Sequence, residues 1–161
     1  MENLAALSDE QLVDGILTWS GRIAAGEARL LALIGEFDRR EAWGGVGLLS
    51  SAHWLSWRTS LSPSAAREKV RVARALIDLP LVQDQFAAGR LSYSQVRAVT
   101  RVATVEDQQK WIDAARCSTA SQLERVVRGV RRARKVDEDA ADPELAAWRM
   151  QTRKSYDDDG N

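Results

Sequence analysis

LSPSAAREKVRVA (61–73) and LSYSQVRAVTRVA (91–103) agree at seven of thirteen positions and share the pattern L-S-x-S-x-x-R-x-x-x-R-V-A. Both read as helix starts, because a serine before an amphipathic run accepts hydrogen bonds from the first free backbone N–H groups. The first copy places Pro63 just after Ser62, at the one helical position where a missing N–H costs nothing. The second places Gln95 three residues after Ser92, which makes a capping box. Projected on a helix, Ala66, Val70, Ala73 and Ile77 share one face, widened by Ala65, Val72 and Leu76, and Arg67, Arg71 and Arg74 share another. In the second copy Val96, Val99 and Ala103 form the apolar face, and Arg97 and Arg101 stand where Arg67 and Arg71 stand in the first.

Working outward, CSTASQLERVVRGVRRARKV (117–136) repeats the scheme with more charge. Ser118, Thr119 or Ser121 caps it, Leu123, Val126, Val127 and Val130 face inward, and Arg125, Arg128, Arg131, Arg132 and Lys135 cover the other side. Upstream, LSDEQLVDGILTWSGRIAAGEARLLALIGEFDRREAW (7–43) opens with a capping box, Ser8 with Gln11. Large apolar residues then recur in heptads: Ile16, Ile23, Leu30 and Phe37 on one seam, Leu12, Trp19 and Leu33 on the other, with Gly26 as the only break. One helix of roughly 30 residues follows, far longer than the usual ~12. Each internal glycine costs it up to about 1 kcal/mol, so close packing or a kink is expected there. WGGVGLLSS (43–51) ends it. SAHWLSW (51–57) is a short helix, LVQDQFAAG (81–89) another with Gly89 as its C-terminal cap, and Thr104 or Asp107 starts one that runs through Trp111.

The chain is 161 residues long, 45% hydrophobic and 29% charged, which suits one ordinary core. Its zero net charge conceals segregation. Residues 58–101 carry eight basic and three acidic side chains, and residues 116–135 carry seven and one, against a surplus of acid at both ends. Such clustering points to a polyanionic partner, although arginines that snorkel over apolar neighbours on a solvated helix give the same pattern. The tryptophans lie mostly outside the basic segments, and are expected in the core rather than stacked on bases.

Several chemistries lack their residues. His53 is the only histidine and Cys117 the only cysteine, so no internal disulfide can form and the several His or Cys donors of a usual zinc site are lacking. No phosphate-binding loop follows the glycines, and no Ser-His-Asp spacing is present. No cofactor is expected. The absence of a signal peptide and of a long apolar run favours a cytoplasmic protein that does not engage a membrane.

GVGLLSSAHWLSWRTSLSPSAAREKVRVARALIDLP (45–80), FAAGRLSYSQVRAV (86–99) and RKSYDDDG (153–160) together resemble the actinobacterial 13E12 repeat family, domain of unknown function 222. The elements that carry the resemblance are S-x-x-W-L, L-S-x-x-A with a later L-P, G-x-L-S and a terminal Asp-rich turn. The resemblance implies a helical region that stands ahead of an HNH endonuclease domain in mobile-element proteins. An HNH centre needs at least two histidines and a metal, so no catalytic or metal residue carries over to this chain.

The expected fold is all-α: a long N-terminal helix packed on a bundle of shorter helices with two helix-turn-helix-like units. Residues 1–136 form the helical domain, and 137–161 an acidic linker with the start of a truncated C-terminal element, since the Asp-Gly-Asn turn has no return strand. The expected function is binding or positioning of double-stranded DNA, without a nuclease centre. Arg67, Arg71, Arg74, Arg97, Arg101, Arg128, Arg131, Arg132 and Lys135 are the candidate phosphate contacts. The alternative is a protein-interaction domain, dimerising through the heptads of the first helix, unless that seam packs within the chain.

Overall fold

The computed structural model describes residues 3–45 and 47–144. They form seven α-helices, with no strand among the described residues: α1 (Asp9–Arg39), α2 (Ser51–Thr59), α3 (Pro63–Ile77), α4 (Pro80–Ala87), α5 (Tyr93–Val99), α6 (Gln108–Arg116) and α7 (Ala120–Ala141). A single 3-10 turn, Leu4–Ala6, precedes α1. The chain divides into two compact units, Met1–Glu124 and Arg125–Asn161. The expected C-terminal hairpin, residues 145–161, lies outside the described residues.

Local chemistry starts α1, α3 and α5 where the sequence places them. Ser8 and Gln11 close a capping box on α1, and Ser92 and Gln95 one on α5. The Ser62 hydroxyl accepts from the N–H of Ala65 at the start of α3, with Pro63 in its first turn. A third box, Thr119 with Gln122, opens α7: the Gln122 N–H reaches the Thr119 hydroxyl at 3.3 Å, and the Thr119 N–H reaches the Gln122 carboxamide at 2.9 Å. Helix α7 then continues through Asp137, Glu138 and Asp139, inside the segment expected to be a linker.

In the first unit α1 packs on α3 and α4, α2 packs on α3, and α6 packs on α4 and α5. Ala66, Val70, Val72, Ala73 and Leu76 of α3 are buried, as are Phe86, Leu91, Val96, Val99, Ile112 and Leu123. Two short helices, each a tight turn away from an arginine-bearing one (α2 with α3, α4 with α5), make the expected pair of helix-turn-helix-like units.

The two copies differ in length. Helix α3 has 15 residues, but α5 stops after seven, at Val99. The Thr100 hydroxyl turns back to the Arg97 carbonyl at 3.2 Å, a local bond that competes with continuing the helix. Ala103 is therefore only half-buried. Ile77, expected on the buried face of α3, is exposed because the helix ends there and Leu79 enters the core in its place. Val126, expected to face inward on α7, is also exposed.

The largest departure is on α1. Its buried side is not the heptad seam but another stripe, Ala24, Ala28, Leu31, Ile34 and Gly35, rich in alanine and glycine. Small side chains let backbones approach: a Cβ on Gly35 would sit 3.5 Å from the Ala73 carbonyl oxygen, and one on Gly21 would sit 3.5 Å from that of Gly89. Leu12, Ile16, Trp19, Ile23, Leu30 and Leu33 all face outward. Trp19 and Trp57 are exposed too, contrary to the expectation of core tryptophans, each with an arginine over its ring (Arg22 and Arg58). Trp111 is buried with its indole N–H donated to Asp107, and Trp54 packs on Phe37 with ring centroids 4.6 Å apart.

Candidate nucleic-acid interface

The repeated arginines meet on the first unit, but most of them point at protein. Arg71 stands at the centre. Its guanidinium donates to the carbonyls of Arg97 (3.1 Å) and Thr100 (3.3 Å) and to the Thr100 hydroxyl (3.2 Å). Those carbonyls end α5, where a helix has acceptors without intrahelical donors and a partial negative charge. Arg71 is thus the C-terminal cap of a helix too short to persist alone. Glu68, one turn earlier on α3, receives Arg71 at 2.9 Å and Arg101 at 2.6 Å. The second arginine of each copy therefore reaches across to the other copy.

The remaining pairs extend this network. Arg97 donates to Glu124 at the start of α7. Arg74 grips Asp38 with two nitrogens, at 2.7 and 2.9 Å, and the Ser51 hydroxyl donates to the same carboxylate at 2.6 Å, so one acid of α1 holds both α2 and α3. Lys69 pairs with Glu27 at 3.3 Å and lies over the Tyr93 ring at 4.2 Å. Of the repeat's cations only Arg67 makes no hydrogen bond or ion pair among the described residues.

Arg67, Arg71 and Arg74 line an open groove of about 690 Å³ with the first turn of α2 and Thr100. With Arg71 and Arg74 engaged by carboxylates, and Asp78 on the rim, it offers an anion little unbalanced charge. The second unit is different. Arg128, Arg131, Arg132 and Lys135 are all exposed on α7 and make no ion pair or hydrogen bond among the described residues. From Arg125 to Lys135 the helix carries six basic residues and no acidic one. The nine candidate residues thus separate into four held by intramolecular bonds (Arg71, Arg74, Arg97, Arg101) and five free to meet an anion.

A model of one family, described as Domain of unknown function (DUF222), matches residues 11–160. The chain belongs to the DUF222 family. No curated protein and no solved structure matches it.

Two glutamines of this DUF222 chain make long-range bonds that their local spacing does not mark, although Gln95 stands in its capping box as expected. Gln95 completes its capping box and donates through its other end to the Ala115 carbonyl at 2.7 Å, closing α6. Buried Gln108 accepts from the Leu81 N–H at 3.0 Å, serving the start of α4, which lacks a capping side chain of its own. The S/T-x-x-Q spacing marks Gln95, but nothing local marks Gln108. His53 lies on the surface of α2, with its backbone N–H donated to the Ser50 hydroxyl. Cys117 is exposed and free. No helix among the described residues is long and apolar enough to cross a membrane, and they contain no group of three or more potential metal ligands.

The arginine pairs have a pH signature. Hydrogen bonding from Arg74, helped by Ser51, holds the Asp38 carboxyl below its ordinary value of 3.8. Arg71, then Arg101, hold Glu68 below its ordinary 4.5. An acid with a lowered folded pKa stabilises the fold fully above its unfolded pKa, and that contribution fades as pH falls through the folded value. The stability of this chain is therefore expected to be level above about pH 5 and to decline progressively below pH 4.5. Thermal melts of the wild type and of Glu68→Gln test this: the variant starts less stable at pH 7 and loses less on acidification.

Proposed function

We propose that this chain is a DNA-binding or DNA-positioning helical module, associated with HNH endonucleases of actinobacterial mobile elements and lacking a nuclease centre of its own. It acts in the cytoplasm without a cofactor. The observation that carries this reading is the α7 surface, where four of the candidate cations stand exposed without carboxylate partners. An arginine already balanced by an acid releases few counterions when a phosphate approaches, whereas an unpaired one contributes in full. The reading therefore rests on Arg128, Arg131, Arg132 and Lys135, with Arg67 as an additional contact, and gives Arg71, Arg74, Arg97 and Arg101 the task of holding the helices together. Helix α7, 22 residues or about 33 Å long, spans enough backbone for several phosphates.

Titrating a labelled random-sequence duplex with the chain at several salt concentrations tests the proposal by fluorescence anisotropy. Binding in the micromolar range is expected, with log affinity falling against log salt at a slope near −4 for four to five neutralised phosphates. No binding at low salt, or a flat salt response, would refute it. A second reading, a protein-interaction or dimerisation domain that does not bind nucleic acid, draws on the outward seam of α1.

A further inference from the structure

Helix α1 carries two apolar stripes, and the first unit uses one of them. The small-residue stripe, Ala24, Ala28, Leu31 and Gly35, meets the rest of that unit. The other consists of Leu12, Ile16, Trp19, Ile23, Leu30 and Leu33, from 37% to 64% exposed. A surface helix of a protein that acts alone carries polar groups on its outward face. Here the outward seam spans three heptads with alternating spacings of four and three, the period that matches a second helix wound around the first.

We propose that this seam is a homodimer interface in which two copies of α1 pair as a parallel coiled coil, with Ile16, Ile23 and Leu30 in the a layers and Leu12, Trp19, Gly26 and Leu33 in the d layers. Four observations support a second copy as the occupant. Isoleucine in two a layers (Ile16, Ile23) with leucine in two d layers (Leu12, Leu33) favours two parallel strands. The exposed apolar area of the seam is on the order of 600 Å² per chain, close to the ~800 Å² per partner that a standard interface buries. Gly26 lies on the seam, and a Cβ there would meet nothing within 4 Å. The first unit thus gives no packing reason for a residue that weakens the helix, whereas a facing helix does, since glycine lets two backbones approach. Lastly, the flanking charges choose a direction. Parallel pairing brings Arg22 at g beside Glu27 at e of the other copy, a carboxylate that Lys69 of its own chain already holds at 3.3 Å, whereas antiparallel pairing would face Arg22 with Arg29. Arg22 has no ion pair among the described residues.

Sedimentation equilibrium of the full chain, with a register-specific cross-link, tests this. The wild type is expected to show a concentration-dependent monomer–dimer equilibrium. Ile23→Asp is expected to raise the dimer dissociation constant at least 100-fold, by placing a charge in an apolar layer, and to leave the helical circular dichroism of the monomer intact because Ile23 is exposed there. In a Cys117→Ser background, Leu33→Cys is expected to form a disulfide-linked dimer on mild oxidation, since parallel pairing sets residue 33 against itself. A monomer at every concentration overturns the proposal, as does a dimer indifferent to Ile23→Asp. A dimer sensitive to Ile23→Asp in which Leu33→Cys fails to cross-link overturns the parallel arrangement.

Discussion

Replacing Gly89 with alanine is expected to destabilise the fold by about 3–4 kcal/mol, combining left-handed backbone strain with overpacking. Gly89 follows α4 with φ at +71°, a conformation that closes a helix and that residues with a Cβ adopt only at a cost. It also lies against the backbone of α1. An added Cβ would stand 2.6 Å from the carbonyl oxygen of Gly21 and 3.0 Å from its Cα and carbonyl carbon. No rotamer change relieves a clash with backbone, so α1 and α4 must separate. Gly15→Ala is the matched control, because its Cβ meets nothing within 4 Å and alanine favours helix by up to about 1 kcal/mol. Urea unfolding should place the Gly89→Ala midpoint far below the wild type and that of Gly15→Ala at or above it. Equal midpoints for all three would contradict the close approach of the two helices.

Arg71→Met carries the second large effect, an expected loss of about 2–3 kcal/mol. Methionine keeps the aliphatic stem but removes the three guanidinium hydrogen bonds to Arg97 and Thr100, leaving the Thr100 carbonyl without its side-chain donor and the Arg97 carbonyl with the Thr100 hydroxyl alone. Glu68 retains Arg101, so one charge of the network remains balanced. The Arg71 side chain is 33% exposed, and water can replace part of what is lost, which keeps the cost below that of breaking a fully buried ion pair. Arg67→Met, one helical turn away and unpartnered, is expected to change stability by no more than about 0.5 kcal/mol. Hydrogen exchange sharpens the comparison, because amides of α5 should lose protection in Arg71→Met and keep it in Arg67→Met. Equal behaviour of the two variants would sink the capping role.

These two residues show what the sequence could and could not convey. Helix starts were legible because their chemistry is local: Ser8 with Gln11, Ser62 with Pro63, and Ser92 with Gln95 lie within three residues of one another. Gly89 was legible as a cap for the same reason, but its contact with Gly21 was not. The repeat was visible as a repeat, whereas its purpose depended on acids far along the chain. Asp38 lies 36 residues from Arg74, Glu68 lies 33 from Arg101, and Glu124 lies 27 from Arg97. No periodicity encodes such meetings. On α1 the heptads of large residues drew the eye, yet burial depends on how closely backbones can approach, and the glycine and alanine stripe won the contact with α3 and α4. The basic residues of α7 are plain in the sequence, but that Arg128, Arg131, Arg132 and Lys135 make no ion pair among the described residues, while Arg71, Arg74, Arg97 and Arg101 do, emerged only from the packing.

In the proposed function the repeated arginines secure the helices, and Arg128, Arg131, Arg132 and Lys135 meet a polyanion. The salt dependence of duplex binding, measured on two variants, tests it most directly. Neutralising α7 with Arg128→Gln, Arg131→Gln, Arg132→Gln and Lys135→Gln together is expected to bring the slope of log affinity against log salt from about −4 to about −1 or shallower, the remainder being the contact of Arg67. Arg97→Gln with Arg101→Gln is expected to lower stability and leave the slope as it was. A slope that stays at about −4 in the α7 variant, or collapses in the repeat variant while that protein remains folded, would contradict the account.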